Sequence, residues 1–367
     1  MNKKNYLHIA IVILSGLSIS LEIKCQQDIP VEKTLKFVSF PDFFNFDIPR
    51  SWPGYDTAIN YFLGRVKEEE PAFVLTAGDL VNGHWWDSPG CVKHMGSVYY
   101  SAWVSRMQEH GLKFYTAIGD HELGDDPWPP EKIKLVPYLE KAYSEHLKMP
   151  LNGPEHKKGL AYYVREGNLL IITVEPFEVK EDSMHLEVAG EQLQWFKNVL
   201  SANSDATFKI VQGHIPVWGG NKSRSSSRLM LDNGKSSEFY QIMKEYDVDV
   251  YLAGEFHDVT VLESDGIWQI VHGSSWGREI VNTEDYLVVE MAGDDLILTM
   301  KRIFMDAQGE YMWNLNKERG PRERVSIDEK TLKAGPEITG TLTIRKRGGD
   351  KQYVNRTGIF SDNNHNQ

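Results

Sequence analysis

Four short segments share one pattern: Leu75-Thr76-Ala77-Gly78-Asp79, Ala117-Ile118-Gly119-Asp120-His121-Glu122, Ile210-Val211-Gln212-Gly213-His214 and Tyr251-Leu252-Ala253-Gly254-Glu255-Phe256-His257. Each is a β-branched or apolar run, then a glycine, then a carboxylate or imidazole. Asp, Glu and His are ligands for first-row metals, and a carboxylate with two oxygens can bridge two ions. Glycine lets the backbone turn tightly and come close to an ion. Four repeats of strand, glycine and ligand are hard to explain by packing alone. They predict a metal centre assembled from loops at the carboxyl edge of a sheet, where ligands collect in open α/β folds.

The elements that would position these loops can be read from hydrophobic periodicity. Strands are expected at residues 35–40, 72–77, 112–118, 207–212 and 248–252, with helices at 56–69, 98–110, 131–146, 190–200 and 236–246. Glu166-Gly167-Asn168 separates two apolar runs and signals a hairpin. Past His257 the pattern is strand only, at 259–262, 267–271, 286–291 and 296–302, with turns at Ser264-Asp265-Gly266 and Gly293-Asp294-Asp295. Alternating strand and helix followed by antiparallel strand predicts a four-layer α/β/β/α sandwich, two mixed sheets flanked by helices. Residues 27–320 would form this domain, and 321–367 a polar, partly flexible C-terminal extension.

The chain has 367 residues, 41% hydrophobic and 25% charged, with a net charge of -12. An acidic balance gives no general affinity for nucleic acid or anionic membrane. Lys3 and Lys4 precede a short apolar run at 7–21, so residues 1–26 read as a secretory signal and the protein as exported. Cys25 is a candidate lipidation site, and membrane contact is expected only in that case. Cys91 is the one other cysteine, which excludes a thiolate zinc site.

In order and spacing, Gly78-Asp79, Gly119-Asp120-His121-Glu122, Gly213-His214 and Gly254-Glu255-Phe256-His257 resemble the calcineurin-like metallophosphoesterases, from about residue 36 to 257. The resemblance implies a centre of two metal ions. Asp79 would bridge them, Asp120 and His214 would hold the second, and Asp42 and His257 the first. His121 would be the catalytic histidine near the leaving group, with Glu122 orienting its ring. The implied reaction is hydrolysis of a small phosphorylated substrate, a phosphomonoester or diester, by a metal-activated hydroxide.

Three residues depart from the family pattern. Phe44 stands in the slot of the opening histidine, Asp120 replaces asparagine, and Glu255 replaces the first histidine of the last motif. The ligand set becomes Asp42, Asp79, Asp120, His214, Glu255 and His257, richer in carboxylate than usual. Such a set favours manganese, iron or magnesium over zinc. Asn45 or Asp47 could replace the missing histidine; otherwise a single ion is held tightly. His84, Arg224 and Arg228 are candidates for substrate binding, since arginine matches phosphate oxygens bidentately, while a solvated loop is the other reading of the arginines. Trp85, Trp86, Trp128 and Trp218 are either pocket walls or packing. A degenerate fold that binds a metal or phosphorylated ligand without turnover is the alternative function.

Overall fold

The computed structural model describes residues 34–40, 54–220, 226–272, 283–307 and 325–361. The predicted signal segment lies outside these residues, as do Asp42, Phe44, Asn45, Asp47 and Arg224. Among the described residues no helix is long and apolar enough to cross a membrane.

The first sheet contains β1 (Leu35–Ser39), β2 (Val74–Thr76), β3 (Phe114–Thr116), β12 (Thr283–Ala292), β13 (Asp295–Ala307), β15 (Glu337–Arg347) and β16 (Asp350–Gly358), with β14 (Val325–Ile327) paired to β13. Its order is β16-β15-β13-β12-β1-β2-β3. β1, β2 and β3 run parallel, and β12 joins β1 antiparallel with Phe37 opposite Val289. The second sheet has the order β10-β11-β9-β8-β5-β4, built from β4 (Tyr162–Glu166), β5 (Leu169–Thr173), β8 (Phe208–Gln212), β9 (Val250–Ala253), β10 (Val259–Ser264) and β11 (Ile267–His272). Here β5, β8, β9 and β11 are parallel, and β4 and β10 close the edges antiparallel.

Side-chain alternation explains the layering. Leu169 and Ile171 of β5 and Val250 and Leu252 of β9 enter a core shared with Phe37, Leu75, Leu287 and Leu298 of the first sheet. Their neighbours Leu170, Ile172, Tyr251 and Ala253 face the other way, into the core beneath the helices. Strands buried on both faces read as unbroken apolar runs, as parallel strands do. The architecture is the four-layer α/β/β/α sandwich of two mixed sheets.

The helices are α1 (Tyr55–Glu68), α2 (Pro89–Glu109), α3 (Pro130–Ile133), α4 (Val136–Leu147), α5 (Gly190–Ala202), α6 (Glu238–Glu245) and α7 (Glu329–Ala334). Ile59, Phe62, Leu63 and Val66 give α1 its buried stripe. α2 begins nine residues before the predicted start. Ser88 caps it by accepting from the Cys91 N–H, and Pro89 opens the first turn. Both are start signals that periodicity alone overlooks. The expected helix at 131–146 is split, with Pro137 in the first turn of the second piece, because proline is tolerated there and not in a helix interior.

The C-terminal region differs from the polar extension expected. β15 and β16 lengthen the first sheet, and Leu342, Ile344 and Phe360 enter the core between the sheets. Lys346 and Lys351 each reach Asp247 and Asp249 beneath β9, at 2.6–2.9 Å. Asp249 is fully buried, so these lysines tie the hairpin to the second sheet. High polarity in this segment belongs to one face and to these ion pairs.

Candidate metal centre

Asp79 follows β2 and Asp120 follows β3, while His214 follows β8 and Glu255 and His257 follow β9. The first two come from one sheet and the last three from the other. All five are buried. His214 Nε2 lies 2.8 Å from Asp120 Oδ1, 3.5 Å from Asp79 Oδ1 and 3.6 Å from Glu255 Oε2. Among the described residues four groups have ligand atoms close enough to share an ion: Asp120, His214 and Glu255; Asp79, Asp120 and His121; His84, His121 and Asp125; and Asp120, Asp125 and Asp126. His257 is buried two residues beyond Glu255 in the same turn.

The glycines are there because the loops interlock. A Cβ on Gly119 would sit 2.2 Å from Asp79 Oδ1, and one on Gly78, at φ +102°, would sit 2.7 Å from His214 Nδ1. Each loop occupies space that a side chain on its neighbour would need. Asp79, Glu255 and His257 themselves have φ of +55°, +72° and +51°. Left-handed backbone at non-glycine residues costs roughly 1–3 kcal/mol each and persists where the surroundings over-determine it.

Glu122 supplies that determination for Asp79. Its two carboxylate oxygens accept backbone N–H groups from Asp79 (2.8 Å), Leu80 (2.7 Å), Val81 (3.2 Å) and Gly119 (2.7 Å). This corrects the expectation that Glu122 orients the His121 ring. That ring is held by the Asn82 carbonyl, 2.7 Å from Nδ1, because the carboxylate is fully engaged with the backbone. Glu122→Gln places an NH2 against N–H donors. With hydrogen bonds to charged groups worth about 1.5–3 kcal/mol each, the variant is expected to lose about 3 kcal/mol of unfolding free energy in a urea titration. A melt unchanged within 0.5 kcal/mol, near the usual spread of ordinary surface substitutions, would count against this role.

His214 donates from Nδ1 to the Ala77 carbonyl at 2.7 Å, which turns Nε2 toward the carboxylates. That is the arrangement by which a metal-binding imidazole is oriented. Electrostatics favour a cation here. Burial opposes ionisation of Asp120, but the His214 hydrogen bond and nearby His121 hold its carboxyl well below the usual range. Burial, with Asp120 beside it, pushes Glu255 up to about 7. Burial would lower His214, yet Asp79, Asp120 and Glu255 outweigh it and drive the pKa well up. Three buried carboxylates around one imidazole are not all ionised at neutral pH without added positive charge. A divalent ion supplies such charge, so the donor set fits a metal.

His121 Nε2 faces Asp79 Oδ2 at 3.9 Å and Asp125 Oδ1 at 4.0 Å. His84 meets its ring edge to face, with centroids 5.7 Å apart, and approaches Asp125 Oδ2 at 3.4 Å. Burial, with His121 and Lys132 nearby, pushes His84 down to about 4, and burial pushes Asp125 up to about 6. At neutral pH the His84–Asp125 contact therefore joins a neutral imidazole to a mostly ionised carboxylate. Sequence reading missed Asp125, Asn82 and Ser226, which stand outside the ligand motifs and are chosen by loop geometry. The Gly124-Asp125 pair, five residues after Gly119-Asp120, was the one available signal.

Trp85, Trp86, Trp128 and Trp218 pack in or against the core beneath the helices. Trp85 is buried and stacks on Tyr99, Trp86 lies under the Lys132 ammonium, Trp128 donates to the Leu123 carbonyl, and Trp218 packs on Tyr240. Arg228 is exposed, in the turn that follows Ser226.

Two sheets whose loops bring buried carboxylates and imidazoles to one edge define an α/β/β/α protein with a candidate metal centre. Residues 36–259 match the model of the calcineurin-like phosphoesterases, and the chain belongs to that family. Family membership implies divalent metal ions. In structure the chain is similar to a dimetal phosphatase from Danio rerio, at 13% identity and a TM-score of 0.50, over 72% of this chain and 95% of that one. It is also similar to GAP50, the anchor in the inner membrane complex of Plasmodium, at 16% identity and a TM-score of 0.46, over 74% of this chain and 84% of that one. At 13% identity the likeness to the dimetal phosphatase bears on the fold alone. None of the curated proteins matches the chain in sequence.

Proposed function

We propose that this protein is an exported, metal-dependent phosphoester hydrolase acting on a small phosphorylated substrate. The observation that carries the reading is the approach of His121 Nε2 to Asp79, beside the Asp120–His214–Glu255 cluster. Asp79, Asp120, His214, Glu255 and His257 would hold the ions, with Asp42 completing the first position. Ions held there would supply Lewis acidity toward the phosphoryl oxygens and an acidified water. The carboxylate-rich donor set supports manganese, iron or magnesium over zinc.

His121 acts on the leaving oxygen. Its Nδ1 is committed to the Asn82 carbonyl, so Nε2 carries the exchangeable proton toward the substrate side. Burial favours the neutral ring, but Asp125, Asp120 and the Asn82 carbonyl outweigh it and raise its pKa. The imidazolium form can donate to the departing alkoxide. His84 and Asp125 flank His121, and Arg228 is exposed in the turn that also carries Ser226.

The test is a panel of aryl phosphomonoesters and diesters assayed with Mn²⁺, Fe²⁺, Mg²⁺ and Zn²⁺ after chelation. Turnover restored best by Mn²⁺ or Fe²⁺ is expected. Full activity with stoichiometric zinc would overturn the metal assignment. A bound metal with no turnover on any ester would favour a binding protein instead.

A further inference from the structure

Glu255 stands where the family has a histidine, and its two oxygens face different ways. Oε2 lies 3.6 Å from His214 Nε2, inside the cluster with Asp120. Oε1 faces the turn at 226–229, where it accepts from Ser226 Oγ at 3.0 Å and from the Leu229 N–H at 2.8 Å. Ser226 is itself buried, and its Oγ accepts the Arg228 N–H at 2.9 Å. A hydroxyl has one proton to give. With a lone pair taken by Arg228, that proton is directed at Glu255. The neighbouring Ser227 hydroxyl bonds Asp126 in the loop beyond β3, so the turn is held from both walls of the site.

This arrangement answers a problem created by the substitution. A ligating imidazole is rigid and is oriented through its second ring nitrogen, as His214 is by Ala77. A glutamate has more rotatable bonds and a second oxygen that can swing into the same position. Without an anchor on Oε1 it presents no fixed donor.

We propose that Ser226 is a positioning residue for the metal centre: it fixes Oε1 of Glu255, so that Oε2 alone is presented to the ion shared with Asp120 and His214. The inference rests on the metal-binding reading above and adds to it a residue outside the family motifs. Ser226 also joins the centre to the turn that carries Arg228, because its hydroxyl donates to Glu255 and accepts the Arg228 N–H.

The experiment uses the full chain and Mn²⁺ alone, with affinity read from the free-ion electron paramagnetic resonance signal and stoichiometry from elemental analysis. Outer-shell losses weaken metal affinity by about 10–100-fold, and Ser226→Ala is expected to do so for one ion. Ser226→Thr, which keeps the hydroxyl, is expected to restore it. In a Glu255→His background the carboxylate is gone, so adding Ser226→Ala is expected to change affinity little. Wild-type affinity in Ser226→Ala overturns the inference. An equal loss in the Glu255→His background does so too, since it would show a general effect of the turn. If the wild-type chain binds no Mn²⁺, and no Fe²⁺ or Mg²⁺ by elemental analysis, the metal-binding reading fails and takes this inference with it, which separates the two outcomes.

Discussion

Asp79→Asn is expected to abolish turnover and to lose at least half of the bound metal. Asp79 faces both His214 and the His121 ring, and it is the carboxylate proposed to bridge the ions. Its Oδ1 lies 3.5 Å from His214 Nε2 and accepts the His121 N–H at 3.2 Å, while Oδ2 faces the His121 ring. An amide keeps the shape and one acceptor, but it loses the charge and the second ligand oxygen. The effect should exceed the roughly 10–100-fold typical of outer-shell changes. The variant also separates a metal role from a folding role. A ligand that binds only the native state raises thermal stability, so Mn²⁺ is expected to raise the Tm of the wild type and not of Asp79→Asn. In chelator the two should melt close together, because losing one of three crowded carboxylates offsets the loss of a charged neighbour for His214. Elemental analysis and paired thermal melts check this. An Asp79→Asn chain with full metal content would remove Asp79 from the centre.

His121→Ala is expected to lower turnover by around 100-fold or more, the usual scale for loss of a general acid, with metal content kept. The Asn82 carbonyl holds the ring at Nδ1, and Asp125 and His84 flank it where the proposed leaving group would sit. A substrate whose leaving group needs no protonation, such as a nitrophenyl ester, should be affected less than an alkyl ester. This dependence on the leaving group distinguishes acid catalysis from simple disturbance of the site. Equal losses on both esters would point to electrostatic stabilisation, and unchanged turnover on both would take His121 out of the mechanism.

Much of the candidate centre was legible because its proposed ligands follow a local rule. A parallel strand ends, a glycine permits the turn, and the next side chain points beyond the sheet edge. That rule needs only a few consecutive residues, so Asp79, Asp120, His214, Glu255 and His257 could be named before any contact was known. The layers were legible for a similar reason, since β5 and β9 are apolar along nearly their whole length. Helix ends were less so. The start of α2 depends on one hydroxyl at Ser88, and the break before α4 on Pro137, both invisible to a periodicity count.

What the sequence by itself determined was therefore which residues sit at strand ends and what chemistry their side chains carry. It also marked the departures, above all Glu255 for histidine. Tertiary structure alone decided how those side chains divide their bonds. Glu122 holds four backbone N–H groups rather than a ring, Asn82 orients His121, Asp125 faces His121 and His84, and Ser226 donates to Glu255. It also placed β15 and β16 in the first sheet despite their polarity. The physical reason is the same in each case. A ligand's position in the chain is a local property of strand and turn, whereas a hydrogen-bond partner from another loop depends on how two sheets bring distant segments within 3 Å. No spacing along one chain encodes that distance.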